Sequence, residues 1–488
     1  MPMSIARALL IGGAEIPARS GATTDVVNPY TGAVYATVAA AGPADVTAAV
    51  DAAHAAFGEW ADLPPAQRRA VFLRAADLLE SRAAQGAEHM AGEVGGARPW
   101  AEFNAAVAAG VLREAAAAIT APRGEVLASA QPGVLGLAVR RPLGVVAAFA
   151  PWNAPIILST RAVAAPLAAG NTVVLKASEA APLASGLFIA DVLAEAGLPA
   201  GVLNVITNDL DDAPAVARTL IADERVRAVN FTGSTTVGRI IGTLAAEHLK
   251  PAVLELGGKN SVIVLEDADI DYAVRAAVFG AFANSGQICM SADRILVHES
   301  VAGEFLEKFC GAVESLPTGD PADPATVIGP MVNEAAAQRV SSLVRDAVAK
   351  GAVVRAGGGT PEGTVHRATV LTGVPLDADI HHAEIFGPAC VVDTFATDAE
   401  AVAKANDTEH GLSAGVITEN ATHGLRVAAG LHTGIVHIND QSVGDEPQAP
   451  FGGVKNSGYG RFGGRWGIEA FSNTRWVTVA TEQLPFPG

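Results

Sequence analysis

The sequence predicts an α/β fold with two domains built on largely parallel sheets. Short apolar runs that fit buried strands alternate with longer runs of helical period, which is the pattern of βαβ units, and the alternation recurs in the second half. At 488 residues the chain exceeds what one hydrophobic core usually organises. Half of its residues are hydrophobic and 17% are charged, a balance that fits a packed globular protein rather than disorder.

Taken in order, Leu9 to Ile11, the Gly12-Gly13 turn and Asn28-Pro29-Tyr30-Thr31-Gly32 read as short strands punctuated by turns. After Pro43 the spacing of Val46, Val50, Ala53 and Phe57 gives a helix, and Pro65 opens another through Phe72, Ala76 and Leu79. Alanine-rich helical sequence continues to about Thr120. Val134 to Val139 reads as a strand, Arg140-Arg141-Pro142 as a turn, and Gly144 to Ala150 as a buried strand. Strands at 145–149, 172–175, 202–206 and 228–231 then alternate with helical segments around Ala162, from Ala180 to Ala196 and from Ala213 to Ile221. Beyond a helix from Ile270 to Ala283, helical stretches at 301–316, 335–349 and 401–404 carry the second alternation.

A doubly wound sheet binds ligands beyond the carboxyl ends of its strands, so the residues there are candidates. Those positions hold Pro151-Trp152-Asn153, Lys176-Ala177-Ser178-Glu179 and Thr232-Gly233-Ser234. Ser234 can cap the helix that runs towards Leu249, whose free N–H groups suit a phosphate; the alternative is an ordinary cap. Glu255 stands in an apolar strand before Gly257-Gly258-Lys259, and a buried carboxylate must be paired, protonated or functional, with Lys259 as the obvious partner. Cys289 follows Gly286 and Gln287 in a connection, where a thiol can meet a ligand or remain an inert small hydrophobe.

The formal charge of −18 opposes nucleic acid and anionic membranes as partners. No apolar run reaches bilayer length, and Ala8 to Ile11 is too short for a signal-peptide core. Cys289, Cys310 and Cys390 are odd in number and lack CxxC spacing, which reads as a reduced, cytoplasmic protein. No metal site emerges, because the adjacent His381 and His382 cannot point the same way.

Six motifs in order carry a resemblance: Pro151-Trp152-Asn153, Phe231-Thr232-Gly233-Ser234, Leu254-Glu255-Leu256-Gly257-Gly258-Lys259, Gly286-Gln287-Ile288-Cys289, Glu384-Ile385-Phe386-Gly387-Pro388 and Pro450-Phe451-Gly452-Gly453. Over nearly its whole length the chain resembles the aldehyde dehydrogenase superfamily. The resemblance implies a Rossmann-like NAD-binding domain (1–121 and 143–254), an α/β catalytic domain (255–466) and a small β oligomerisation element (122–142 and 467–488). It implies Cys289 as nucleophile, Asn153 with the Cys289 N–H as oxyanion donors, and Glu255 as the base for hydrolysis. Trp152, Lys176, Ser178, Glu179, Phe231, Gly233, Ser234, Gly257, Glu384 and Phe386 are implied around NAD. A carboxylate on the ribose hydroxyls repels a 2′-phosphate, which favours NAD over NADP. The expected partners are a small aldehyde and further copies of the chain, in a homodimer or homotetramer.

Two positions depart from the hydrolytic pattern. Ala162 stands where many members have lysine, and Phe462 where many have glutamate after Gly-Arg. Pro-Trp-Asn-Ala-Pro-Ile-Ile-Leu with Arg161, Gly-Gln-Ile-Cys-Met-Ser and Gly-Tyr-Gly-Arg-Phe-Gly-Gly look most like the branch oxidising aromatic aldehydes of the benzaldehyde, salicylaldehyde or vanillin type. Arg161, Leu158, Ile288, Met290 and Phe451 are the candidate substrate pocket; Ile288 and Met290 fit core packing equally, and Arg161 a structural ion pair. The alternatives are a broad-specificity, aliphatic or semialdehyde enzyme, a CoA-acylating one, or a catalytically silent scaffold.

Overall fold

The computed structural model describes residues 5–121 and 123–483. Pro122, the expected start of a hairpin, lies outside them, as do the chain's first four and last five residues. Five parallel strands form the middle of an eight-stranded sheet, in the order Ala252–Glu255, Val226–Thr232, Val145–Phe149, Thr172–Lys176 and Leu203–Ile206. Leu9–Ile11 and Ala14–Ile16 extend one edge antiparallel, and Gly458–Tyr459 the other. Parallel neighbours require long crossovers, which the helices Pro155–Ala169, Phe188–Glu195, Ala213–Ala222 and Thr235–Glu247 supply. The strands are therefore covered on both faces, and Val145–Phe149 and Thr172–Lys176 are buried throughout.

A seven-stranded sheet follows, with Ser261–Val264 between Arg294–His298 and Ser413–Ile417 and only the edge strand Val353–Ala356 antiparallel. A third sheet pairs Gly124–Leu127, Val134–Pro142 and Ser472–Ala480, all antiparallel.

Three expectations are corrected. Arg140-Arg141-Pro142 is strand rather than turn, because Thr474, Asn473 and Ser472 pair with it from more than 300 residues away. The chain turns instead at Leu143-Gly144, whose two N–H groups donate to the Asn171 side-chain oxygen. The helix expected over 180–196 is a π-helical segment, Leu183–Leu187, running into Phe188–Glu195. Its free N–H groups at Leu183 and Ala184 donate to the buried Glu93 carboxylate at 2.7 and 2.8 Å, which offsets the missing cap. The segment assigned to the second domain as far as residue 466 also returns to the first sheet. Gly458–Tyr459 hydrogen-bonds to Ala252–Glu255, and Phe451 and Phe462 join the first core.

Candidate active site

The carboxyl ends of three of the five parallel strands open on one cleft of about 470 Å³. Its walls include Trp152, Asn153, Gly233, Ser234, Glu255 and Gly257 from those ends, and Cys289, Glu384 and Phe386 from the second sheet's loops. Nine of the residues singled out from sequence thus share one space.

The loop bearing Cys289 is held in an unusual shape. Asn284, Ser285 and Gly286 take successive φ of 50°, 55° and 70°, a left-handed run that costs on the order of 1 kcal/mol or more per non-glycine residue. Surrounding bonds hold it there. The Asn284 amide donates to the Asn153 carbonyl at 3.0 Å, Gln287 accepts from Val332 N–H at 2.9 Å, and the Asn260 amide donates to the Cys289 carbonyl at 2.8 Å. Only glycine fits at 286, since a Cβ there would lie 2.1 Å from the Gly387 oxygen. The Asn153 amide donates to the Gln287 carbonyl at 3.0 Å, which orients it and leaves a second N–H. Ile288 and Met290, the thiol's neighbours, are packed in the core with Leu158 and Phe451.

Glu255 does not pair with Lys259. Lys259 instead bonds Asp293 at 3.1 Å and the Ala383 carbonyl at 2.7 Å. Neither Glu255 oxygen has a hydrogen-bond partner among the described residues, although the side chain is 1% exposed. Burial pushes its pKa up to about 7, against opposing pulls from the Arg161 charge and from the adjacent Cys289 thiol. Burial first, and then the Glu255 charge, also hold the Cys289 thiol well above its ordinary range, with Arg161 opposing. A carboxyl near neutrality facing a protonated thiol is an arrangement for proton transfer, since most buried carboxylates would be bonded.

Arg161 is buried and pairs with Asp445, and its guanidinium lies 4.1 Å from the Phe451 ring centroid. Ala162 and Phe462 are both buried, so neither position offers a side-chain proton relay. Glu384 accepts from Gly258 N–H at 2.9 Å, and burial pushes its carboxyl up to about 8. A Cβ on Gly257 would lie 2.4 Å from that carboxylate, so a side chain there would displace the Glu384 carboxylate from its present place. Trp152 and Phe386 meet edge to face across the cleft at 5.6 Å.

Ser234 caps the Thr235–Glu247 helix, with its hydroxyl accepting from Val237 N–H at 3.4 Å. That helix start lines the cleft through Thr235 and Thr236, and its free N–H groups and positive dipole end fit a pyrophosphate. Lys176 and Glu179 form an ion pair, the Asn208 amide donates to Glu179 at 3.1 Å, and Ser178 is buried; none of these four lines the cleft itself. Phe231 likewise does not line the cleft. Its ring lies in the core 6.0 Å from Phe149 and fills the space that a Cβ on Gly233 would need, so that glycine answers to packing.

Sequence reading missed Arg339 and His410, which line the cleft from the second half of the chain. It also missed a larger apolar cavity of about 670 Å³ bounded by Trp100, Phe103, Phe279 and Asn284. Trp100 and Asn284 both donate to the Asn153 carbonyl, at 2.9 and 3.0 Å, so one wall of that cavity abuts the loop that carries Asn153. Its aromatic residues occupy scaffold helices, where an apolar stripe reads as core. Among the described residues no cluster of three metal-ligating side chains occurs, and no helix is long and apolar enough to cross a membrane.

The profile of the aldehyde dehydrogenase family matches residues 16–477. A vanillin dehydrogenase of Pseudomonas sp. strain HR199 is 51% identical over 479 residues, 98% of this chain and 99% of that one. A benzaldehyde dehydrogenase [NAD(+)] of Pseudomonas putida is 40% identical, covering 96% of this chain and 95% of that one. The crystal structure of a salicylaldehyde dehydrogenase from Pseudomonas putida G7, complexed with salicylaldehyde, superposes with a TM-score of 0.97 at 42% identity over 99% of this chain and 100% of that one. Fold, cleft and full-length similarity agree, and the chain belongs to the aldehyde dehydrogenase family.

Proposed function

We propose that this enzyme oxidises aromatic aldehydes to carboxylic acids with NAD, using Cys289 as nucleophile, Asn153 as oxyanion donor and Glu255 as base. The observation that carries the reading is the unpaired, buried Glu255 carboxyl in the same cleft as the Cys289 thiol. In the first step the thiol proton passes to Glu255 as sulfur bonds the aldehyde carbon, and the carbonyl oxygen gains charge beside the Asn153 amide. Gly233, Ser234, Glu384 and Phe386 would hold NAD in the cleft, where it would supply an acceptor for the hydride of that carbon and leave a thioester on Cys289. Glu255 then takes a proton from water as its oxygen attacks the thioester; the C–S bond breaks and the acid departs. With Ala162 and Phe462 at the usual relay positions, Glu255 must return protons to the water of the cleft. Formation of NADH from benzaldehyde without coenzyme A tests the reading, and strict dependence on coenzyme A would replace hydrolysis by acyl transfer.

NAD is favoured because the Glu179 carboxylate, held by Lys176 and Asn208, is a ribose-hydroxyl acceptor that repels a 2′-phosphate. Glu179→Ala is expected to narrow the ratio of kcat/KM for NAD over NADP by about tenfold, the worth of one charged hydrogen bond. Equal efficiency of the two cofactors in the parent would refute the assignment.

The aryl reading rests on the named relatives and on the apolar cavity beside Asn153, which suits a flat ring. Arg161 bears on it through its place between Asp445 and Phe451. Because removing one member of a buried pair strands the other charge, the informative variant changes both, Arg161→Met with Asp445→Leu. If the pair shapes the pocket, kcat/KM should fall about tenfold more for hydroxylated benzaldehydes than for a straight-chain aldehyde. A uniform loss would return the pair to a structural role.

Self-association is proposed through the third sheet. Its edge strand Ser472–Ala480 exposes Trp476 and Val479, and Val126 and Leu135 are exposed beside it. Open strand edges with apolar side chains are templates for a further strand.

A further inference from the structure

Beside the third sheet, positive charge is concentrated in a place that aldehyde oxidation does not use. A cavity of about 230 Å³ is bounded by Arg123, Arg140, Arg141 and Arg465, with Glu114 as the carboxylate in its wall. In a chain with 33 Lys and Arg against 51 Asp and Glu, four arginines around one cavity run against the overall charge. The fold gathers them. Arg140 N–H donates to the Arg123 carbonyl at 2.7 Å, Arg141 is the next residue, and Arg465 lies on the Gly464–Ala470 helix that leads into the paired strand Ser472–Ala480.

A fifth guanidinium stands behind this wall. Arg68 is 1% exposed and donates through Nη1 to the carbonyls of Trp60 and Ala61 at 3.2 and 3.3 Å. Its Nε and Nη2 have no partner among the described residues, and no carboxylate there pairs with it. Nη1 lies 3.2 Å from the point that a Cβ on Gly170 would occupy, and the Pro142 Cβ lies 3.6 Å from the same point. Gly170 and Pro142 directly follow Ala169 and Arg141, both of which line the cavity. Burial, and then the charge of Arg123, lower the Arg68 pKa to about 10. Orphaned donors on a buried cation are costly, and such groups usually carry an ion or water.

The local counter-charge is insufficient. Glu469 pairs with Arg140 at 2.7 Å, and Glu114 adds a second carboxylate. The ends of the Arg98–Ile119 and Pro155–Ala169 helices reach the cavity through Ala118 and Ala169, and each brings about half a negative charge. Against five guanidiniums this leaves an excess of about two positive charges.

We propose that this cavity binds a small oxyanion carrying two negative charges, of the phosphate or short dicarboxylate class, outside the catalytic cleft. The planar forks of arginine bond such oxygens in pairs, which a point charge does less well. Thermal unfolding of the purified enzyme, followed against inorganic phosphate and separately against malonate, with sodium chloride at matched ionic strength, tests it. At least one dianion should raise Tm saturably by about 2 °C or more. In Arg123→Ala/Arg465→Ala the midpoint concentration should rise about tenfold, with aldehyde oxidation unchanged. Both arginines are exposed, so this variant keeps its core. Phosphate bound instead at the Ser234 helix terminus would stabilise parent and variant alike, and that result would overturn the proposal. No rise in the parent, or a rise that chloride reproduces, would do the same.

Discussion

Cys289→Ala is expected to leave a folded enzyme that produces no measurable NADH from benzaldehyde, a loss on the order of ten-thousandfold or more. The expectation rests on the absence of a substitute. Cys390 is buried in the strand Ala389–Phe395, and Cys310 lies in the Glu299–Glu314 helix, so neither thiol lines the cleft. The fold should survive, because the loop is held by bonds to backbone and neighbouring side chains that alanine retains. Circular dichroism and NAD binding should therefore match the parent. Cys289→Ser separates bulk from nucleophilicity, since a hydroxyl fills nearly the same space but is far less readily ionised. Substantial turnover in either variant would remove Cys289 as the nucleophile.

Which residues meet in the cleft was legible in sequence where the signal is local. A carboxylate in an apolar strand and a thiol in a glycine-marked connection each break a local pattern, and strand ends in a parallel sheet are where such breaks have chemical use. What sequence left open was decided by residues far along the chain. Lys259, four residues from Glu255, looks like its partner; Asp293 takes it instead and leaves the carboxylate unpaired. Arg161 carries no sign of Asp445, 284 positions later, nor Arg140 of the strand at 472–480. The cavity formed by Trp100, Phe103 and Phe279 draws on two helices whose apolar stripes look like any core face. Phe231 shows how packing can underlie a motif. It stands beside Gly233 in a motif associated with the cofactor, and its ring serves the core.

Glu255→Gln should divide the reaction in two. Glutamine keeps the shape of the side chain but cannot accept a proton, so thioester formation should continue, more slowly, while hydrolysis falls by about a hundredfold to ten-thousandfold. The expected trace is a burst of NADH of at most one equivalent per active site, followed by very slow turnover. The pH dependence follows from the Glu255 carboxyl at about 7. Below that pH the base is protonated, and the parent's hydrolytic rate should fall about tenfold per unit; above it the rate should level off. Stability should move in the opposite direction. A carboxyl whose folded pKa is raised from 4.5 binds more protons folded than unfolded between about 4.5 and 7, so the folded parent loses stability as pH rises through that window and no more above it. The loss is up to about 3 kcal/mol, and Glu255→Gln removes it, leaving Arg161 paired with Asp445. The variant should therefore melt higher than the parent at pH 8 and nearly level with it at pH 4.5. A structural carboxylate would behave in the reverse way, destabilising the protein when replaced. Full steady-state turnover in Glu255→Gln, or a lower Tm at pH 8, would be incompatible with a base kept unpaired for catalysis.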